Sequence, residues 1–204
     1  KARLADMDLE GIDIAILFGG TLSSAAIGLV ESPALALATC RAYNDWLAEY
    51  CGAAPERLKG VAVVPFQDPA AGARELRRAV RELGLVGVRV PTWPDGRDPG
   101  HRRYDPIYAA AEELGVPACL HLLSARTAGA DRFDNFFLKH VFYAADVFMA
   151  FSAIVAGGVL DRFPGLRVGV FEAGCGWIPY LMERMHEHWE LFPDQLPELQ
   201  HDPA

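Results

Sequence analysis

Three polar residues stand at or near the ends of short apolar runs, where a buried strand has little structural use for them. They are His121, Glu172 and Arg89. A neutral imidazole is a good ligand for zinc or another divalent transition metal, and a carboxylate can bind a metal or transfer a proton. A guanidinium pairs well with a substrate carboxylate. The three residues are therefore candidates for a metal ligand, a metal ligand or general base, and a substrate-binding group, in that order.

Each of these residues also has a structural interpretation that its position leaves open. His121 can be a core histidine bonded to a neighbouring carbonyl group. Glu172 can interact with the dipole at the start of the following helix. For Arg89 the position favours an ion pair with a glutamate on a covering helix, because structural ion pairs are common in folded proteins.

The runs that carry these residues belong to a pattern of five short, almost continuously apolar segments, which is typical of strands buried on both faces of a parallel sheet. The predicted strands cover residues 12–18, 60–64, 87–90, 116–122 and 168–171. Amphipathic segments separate them and predict helices over residues 33–50, 69–84, 106–115, 135–163 and 176–191.

Local signals mark where several of these helices begin and end. Asp68 and Asp105 each precede a proline, so we expect both aspartates to cap a helix whose first turn contains that proline. The helix over residues 135–163 is long enough for two pieces, and Gly157-Gly158 is its expected break.

Strands that alternate with helices imply right-handed crossovers and a parallel sheet, either open and doubly wound or closed into a (β/α)8 barrel. The first turn contains Gly19-Gly20 but neither of the glycine motifs that bind nucleotide phosphates, so a nucleotide-binding open sheet has no positive support. In a barrel, Arg89, His121 and Glu172 would share the active-site mouth at the carboxyl ends of the strands. We therefore expect about five consecutive βα units of a barrel, forming one domain over residues 1–204.

Composition excludes several other classes. The formal net charge is −8 and the basic residues are scattered, which argues against nucleic-acid binding. The longest apolar stretch, residues 147–160, is too short to span a bilayer, so no membrane partner is expected. Four cysteines without a CxxC pair, and a first segment that does not resemble a signal peptide, indicate a reducing compartment, and we predict the cytoplasm.

Four segments in order along the chain resemble one known family. They are residues 7–13, 104–117, 157–164 and 172–180. Their sequences and spacing are similar to the amidohydrolase-related family that includes aminocarboxymuconate semialdehyde decarboxylase. The resemblance extends over nearly the whole chain, although no single motif decides it.

This resemblance implies a (β/α)8 barrel with a divalent metal, often zinc, and either hydrolysis or non-oxidative decarboxylation of a small carboxylated or cyclic substrate. His121 matches the family's fifth-strand ligand. Glu172 stands where decarboxylases of the family usually have histidine, so it is predicted as a metal ligand and as the catalytic proton-transfer group. The family's first strand, with its paired ligands, and its last two strands, with an aspartate on the eighth, have no match in residues 1–204.

The remaining site predictions concern substrate and partners. Arg89, His140 and Trp177 are predicted to bind the substrate. Family members are often dimers, so a homodimer is expected, with the aromatic stretch after the His121 strand as its contact. The alternative function is a metal-free barrel piece that acts as a binding or assembly module, because the ligands of the family's first and eighth strands are absent from residues 1–204.

Overall fold

The computed structural model describes residues 2–20, 27–121 and 132–204, and within them helices alternate with five short strands. The strands are β1 (Ala15–Leu17), β2 (Leu58–Gly60), β3 (Val88–Val90), β4 (Ala118–His121) and β5 (Val168–Phe171). The helices are α1 (Ala2–Leu9), α2 (Pro33–Gly52), α3 (Pro69–Arg81), α4 (Asp105–Leu114), α5 (Phe136–Ala156), α6 (Val159–Arg162) and α7 (Ile178–Leu191). The five predicted strands are therefore confirmed in type and order, but most of their bounds differ from the prediction. β1 and β3 are shorter than the apolar runs that predicted them, and β2 shares only Gly60 with the run over residues 60–64. β4 begins two residues after its run, whose last residue, 122, lies outside the described residues, and β5 matches its run.

All the strands pair in parallel, and their order in the sheet follows their order along the chain. β1 pairs with β2, and β3, β4 and β5 form a second group. A bridge between Ala62 and Val88 joins the two groups, and the Arg89 amide donates to the Ala62 carbonyl at 2.8 Å. Sequential parallel order with a helix after each strand is the arrangement of a (β/α)8 barrel rather than of a doubly wound sheet, whose strand order reverses.

Alternate residues of the strands face opposite sides of the sheet. On one side Val88, Val90 and Leu120 are completely buried in the main apolar core beneath the helices. Arg89 and His121 therefore project from the other side, which is the inner side of a barrel. The strand register places Arg89 beside Cys119 and His121 beside Phe171, so Arg89 lies one inner layer deeper than His121.

One of the two predicted aspartate caps is confirmed and the other is wrong. The Asp68 carboxylate accepts from the Ala71 amide at 3.0 Å at the start of α3. Asp105 is instead the first helical residue of α4, and no side chain caps that helix. Its carboxylate accepts from Arg162 at 2.8 Å, so a tertiary ion pair with α6 replaces the local cap.

Helix α5 ends where the sequence predicts. Gly157 follows its last residue, and Gly158 has a φ of 65°, a left-handed conformation that suits glycine, before α6 begins. Among the described residues, α5 is the helix whose length and composition alone would allow it to cross a membrane, with a mean hydropathy of 1.4. Core helices of soluble proteins also have this length and composition, and Val147, Ala150 and Ile154 of α5 are fully buried.

A buried polar network connects α2 to α3 and to the segment after β2. The Asn44 amide group donates to the Val63 carbonyl at 2.9 Å and to the Glu75 carboxylate at 2.8 Å, and its oxygen accepts from the Val63 amide at 3.0 Å. Arg78 donates to both oxygens of Glu75. Buried polar groups are costly when they lose their partners, so this network fixes how the two helices sit on the strand end.

We expect Asn44→Ala to lower the free energy of unfolding by about 2–4 kcal/mol, because it removes the side-chain partner of the Val63 amide and carbonyl and one of the donors to the buried Glu75 carboxylate. Urea denaturation measures this loss. The control is Asp45→Ala, which removes an exposed partner of Arg78 and should cost less than about 1 kcal/mol. Equal losses in the two variants would contradict the structural role assigned to Asn44.

Candidate metal centre at the strand ends

His121 and Glu172 come together at the carboxyl ends of neighbouring strands. The Nε2 atom of His121 lies 3.7 Å from a carboxylate oxygen of Glu172. The His121 side chain is only 14% exposed, whereas that of Glu172 is 61% exposed. The pair therefore combines a largely buried imidazole with a solvent-accessible carboxylate. A site that binds a ligand from solution needs such an accessible group.

The ring of Phe18, at the end of β1, packs against both strands that carry this pair. Its centroid lies 4.7 Å from the His121 ring and 4.7 Å from the Phe171 ring. Gly169 leaves room for this cluster, because a Cβ atom there would lie 2.8 Å from the ring of Phe171. Aromatic packing from three strands therefore restricts the orientation of the His121 imidazole.

Glu172 has a backbone conformation that non-glycine residues seldom adopt. Its φ is 56°, in the left-handed region. The chain turns there from β5 into the segment that includes Gly174, whose φ is 61°. Unfavourable backbone geometry tends to be kept where function needs a side chain in a particular place. At Glu172, the left-handed conformation turns the chain immediately after β5 and leaves the carboxylate near His121.

Arg89 extends from the inner side of the sheet, away from the covering helices. Its guanidinium donates to the Gly19 carbonyl, beyond the end of β1, at 3.0 Å. Burial lowers the pKa of Arg89 to about 10, while the charges of Tyr43 and Glu172 act in the opposite direction. Arg89 therefore remains a cation at neutral pH, and it lies within electrostatic reach of Glu172. This orientation agrees with the barrel-mouth interpretation rather than with the helix ion pair that the sequence favours.

The other two predicted substrate-binding residues make contacts elsewhere. His140, on α5, is exposed; its ring packs against Phe136 and Tyr143, and its Nδ1 atom lies 3.0 Å from the Phe136 carbonyl. Trp177 donates to the Ala173 carbonyl at 2.9 Å and so stabilises the turn after Glu172. Within the described part of the chain, neither residue makes a hydrogen bond, ion pair or aromatic contact with His121, and their roles in substrate binding stay predictions.

Sequence reasoning missed a cavity of about 390 Å³ beside Arg89. It is lined by residues that follow β2 and β3, among them Phe66 and Trp93, and by residues 27–29 and 31. The sequence signal that could have indicated this cavity is the tryptophan and the prolines directly after the strand that contains Arg89. They lie in an irregular segment whose path the hydrophobic pattern does not predict.

The donors present fit part of a metal centre. Two ligands of one ion with bonds of about 2.1 Å lie about 3–3.5 Å apart, close to the 3.7 Å between His121 and Glu172. An imidazole with a carboxylate is a usual donor set for zinc and for similar divalent ions. Within residues 2–20, 27–121 and 132–204 there is no group of three or more histidine, cysteine or acidic side chains that could hold an ion. The described residues therefore supply two donors of such a site.

Comparison with known proteins agrees with this geometry, since the model of the amidohydrolase family matches residues 2–203. The chain belongs to the amidohydrolase family. The resemblance found in the sequence is confirmed, and with it the fold of the chain as part of a (β/α)8 barrel.

Characterised relatives of this chain include decarboxylases. It is 34% identical over 195 residues to gamma-resorcylate decarboxylase of Rhodococcus jostii, covering 90% of this chain and 58% of that protein. It is 28% identical over 193 residues to 2-amino-3-carboxymuconate-6-semialdehyde decarboxylase of Dictyostelium discoideum, covering 94% of this chain and 52% of that protein. The chain thus spans a little over half the length of these relatives.

A solved relative is the dihydroxybenzoic acid decarboxylase of Polaromonas sp. JS666, with bound manganese and the inhibitor 2-nitroresorcinol. The superposition has a TM-score of 0.80 at 26% identity and covers 100% of this chain and 63% of that one.

Replacing Glu172 with glycine and, separately, with alanine distinguishes the effect of its backbone conformation on stability from the effect of losing its carboxylate. We expect Glu172→Gly to be about 0.5–1 kcal/mol more stable than Glu172→Ala, because only glycine adopts a positive φ without strain. Thermal and urea unfolding of the two variants measure the difference. Alanine equal to or more stable than glycine would show that the φ of 56° is not maintained in solution.

Proposed function

We propose that the protein is a metal-dependent decarboxylase that removes CO2 non-oxidatively from a small carboxylated aromatic or cyclic acid. The observation that carries this proposal is the pair formed by His121 and Glu172, 3.7 Å apart at the carboxyl ends of β4 and β5. In a barrel this is the end where catalytic groups lie. Membership of a family whose characterised members include decarboxylases gives the reaction class.

In this proposal, His121 holds a divalent ion, and Glu172 is either a second ligand of that ion or the group that transfers a proton. We propose zinc as the ion, because an imidazole with a carboxylate is a frequent zinc donor set. Manganese, which the Polaromonas enzyme binds, is the competing assignment. When bound, such an ion polarises a substrate oxygen. Elemental analysis of the purified protein distinguishes the two metals.

The residues of the chain have separate tasks. Arg89 attracts the substrate carboxylate, because it is a buried cation on the inner side of the sheet. In the proton-transfer role, Glu172 donates a proton to the carbon that bears the carboxylate. The bond from that carbon to the carboxylate breaks, CO2 leaves, and the bonding electrons remain with the ring. Solvent then protonates Glu172 again, which its exposure permits. His140 and Trp177 are proposed to bind the substrate in the complete barrel.

We expect His121→Ala to weaken metal affinity by at least about 100-fold and to abolish release of CO2 from 2,6-dihydroxybenzoate, because it removes the buried donor of the site. Metal content and CO2 release in the whole protein are the two measurements. His188→Ala, which alters an exposed histidine on α7, is the matched control and should change neither. A His121→Ala protein with unchanged metal content and turnover would refute the proposal.

The alternative function, a metal-free binding or assembly module, is favoured by one observation. The described residues supply only two donors at the site and contain no cluster of three or more that could hold an ion. The same metal analysis decides between the functions: a stoichiometric ion with turnover excludes the module, and a stable, metal-free whole protein without turnover supports it.

We also propose a cytoplasmic homodimer that does not bind nucleic acid or membranes. Free cysteines at positions 40, 51, 119 and 175 support a reducing location. The exposed apolar side chains at the start of α5 support a protein contact, since Phe136 is 74% and Phe137 is 72% exposed.

Phe137→Glu should convert the dimer to a monomer, because it introduces a charge into the apolar contact. Light scattering after gel filtration measures the mass. Leu35→Glu, which alters another exposed apolar position, on α2, should leave the dimer intact. A monomeric native protein, or one that floats with phospholipid vesicles, would contradict this assignment of the α5 surface.

A further inference from the structure

We infer that Phe18, at the end of β1, is a positioning residue for His121. Its ring holds the imidazole in the orientation that binds a divalent ion, so Phe18 sets the affinity of the site for the metal. This inference rests on the proposed function, because the ion is part of that proposal. The effect of Phe18 on the ion can nevertheless be measured without any turnover.

The alternation of side chains along β1 places Phe18 on the inner side of the sheet. Ala15 and Leu17 pack against the main apolar core, so Ile16 and Phe18 face the other side. Ile16 is 46% exposed, whereas Phe18, which follows it toward the mouth, is half-buried. Phe18 therefore enters the same space as the side chain of His121.

The contact between Phe18 and His121 crosses the inner side of the sheet, because β1 and β4 are not neighbours in the strand order. The two ring centroids are 4.7 Å apart and the ring planes are inclined by 36°, which is within the range of favourable aromatic pairs. The Phe18 ring also lies 4.7 Å from the ring of Phe171, the residue paired with His121 in the register of β4 and β5. Phe18 thus packs on the imidazole and on the residue beside it in the sheet.

Two features keep the Phe18 ring in this place. A Cβ atom at position 169 would lie 2.8 Å from the Phe171 ring, so Gly169 leaves the room in which that ring meets Phe18. On the other side of Phe18, the carbonyl of Gly19 accepts from the Arg89 guanidinium at 3.0 Å, and both of these residues are buried. A charge-assisted hydrogen bond therefore fixes the backbone next to Phe18.

An imidazole that binds a metal must present one ring nitrogen in a particular direction. The Nε2 atom of His121 lies 3.7 Å from the Glu172 carboxylate, and the His121 side chain is only 14% exposed. Groups around the ligands orient metal-binding histidines, and apolar groups there limit the access of solvent. The Phe18 ring does both at His121, since it restricts rotation of the imidazole and covers part of it. An imidazole that is already oriented loses less entropy when the ion binds.

Titration of the whole protein with Zn²⁺ tests this role, after removal of metal and in competition with a chromophoric chelator. We expect Phe18→Leu, which keeps an apolar side chain but no ring, to raise the Kd for Zn²⁺ by about 10-fold or more. Phe18→Tyr keeps the ring and should raise the Kd by less than about 3-fold. The matched control is Phe163→Leu, which removes a half-buried ring that packs on Tyr108 of α4 and should leave the Kd unchanged.

Two spectroscopic measurements separate positioning from a general loss of stability. In the metal-free protein, the ring protons of His121, assigned by their absence in His121→Ala, lie beside the Phe18 ring, whose ring current displaces their NMR resonances. Phe18→Leu should remove most of this displacement, and Phe18→Tyr should keep it. With Co²⁺ bound in place of Zn²⁺, the visible absorption bands report the geometry of the ligands. These bands should change in Phe18→Leu and stay the same in Phe18→Tyr and in Phe163→Leu.

Equal Kd values for Zn²⁺ in Phe18→Leu and Phe163→Leu would overturn the inference. Unchanged His121 resonances in Phe18→Leu would also overturn it, because they would show that Phe18 does not lie on the imidazole in solution.

The outcomes separate this inference from the proposed function. Zn²⁺ binding that depends on Phe18, without metal-dependent release of CO2 from 2,6-dihydroxybenzoate, would retain the positioning role and refute the decarboxylase. Metal-dependent CO2 release with an unchanged Kd for Zn²⁺ in Phe18→Leu would retain the decarboxylase and refute the positioning role.

Discussion

The alternation of side chains along three parallel strands is the constraint on which the rest of this structure depends. Each strand gives every second residue to the helix-covered core, where Val88 and Leu120 are completely buried. The residues between these core positions therefore face the inner side of the sheet. Arg89 and His121 face the inner side because the residues next to them in the strands are apolar and face the core. A one-residue shift of register would exchange the core-facing residues with the inner-facing residues. The stability of the core and the position of the candidate site therefore come from the same pattern.

This dependence explains what the sequence could predict. Continuous apolar runs identified five strands and their parallel arrangement, and the same runs placed His121 and Glu172 at strand ends that prove to be adjacent. Residues whose partners are distant were harder to predict. Asp105 has the same local signal as Asp68, but Arg162 from α6 takes its carboxylate. A capping motif describes a local preference, and a tertiary ion pair between residues 57 positions apart can override it.

The cavity at Trp93 illustrates the other limit of prediction from sequence. Its walls come from three irregular segments, and the contacts that join them are made by Gln67 and Arg103 with backbone carbonyls. Such contacts have no periodicity, so no hydrophobic pattern reveals them. The position of Phe18 was similarly hidden. It lies at the end of a predicted strand, yet its packing on His121 depends on how the sheet curves to bring β1 near β4. The sequence pattern could therefore predict the individual strands. It could not predict which side chains of different strands contact each other on the inner side of the sheet.

Charge balance connects Arg89 to Glu172 in the proposed reaction. A buried guanidinium is costly to remove from water, and Arg89 reduces this cost through the Gly19 carbonyl and nearby negative charge. In the proposed reaction, the bound substrate carboxylate also supplies such a charge. When the proton passes to the ring carbon, the carboxylate leaves as neutral CO2 and Glu172 becomes negative. The negative charge near Arg89 thus passes from the substrate to Glu172. The buried guanidinium therefore has an anion nearby both before and after the proton transfer. In the proposed reaction, a neutral residue at position 172 would lack this property.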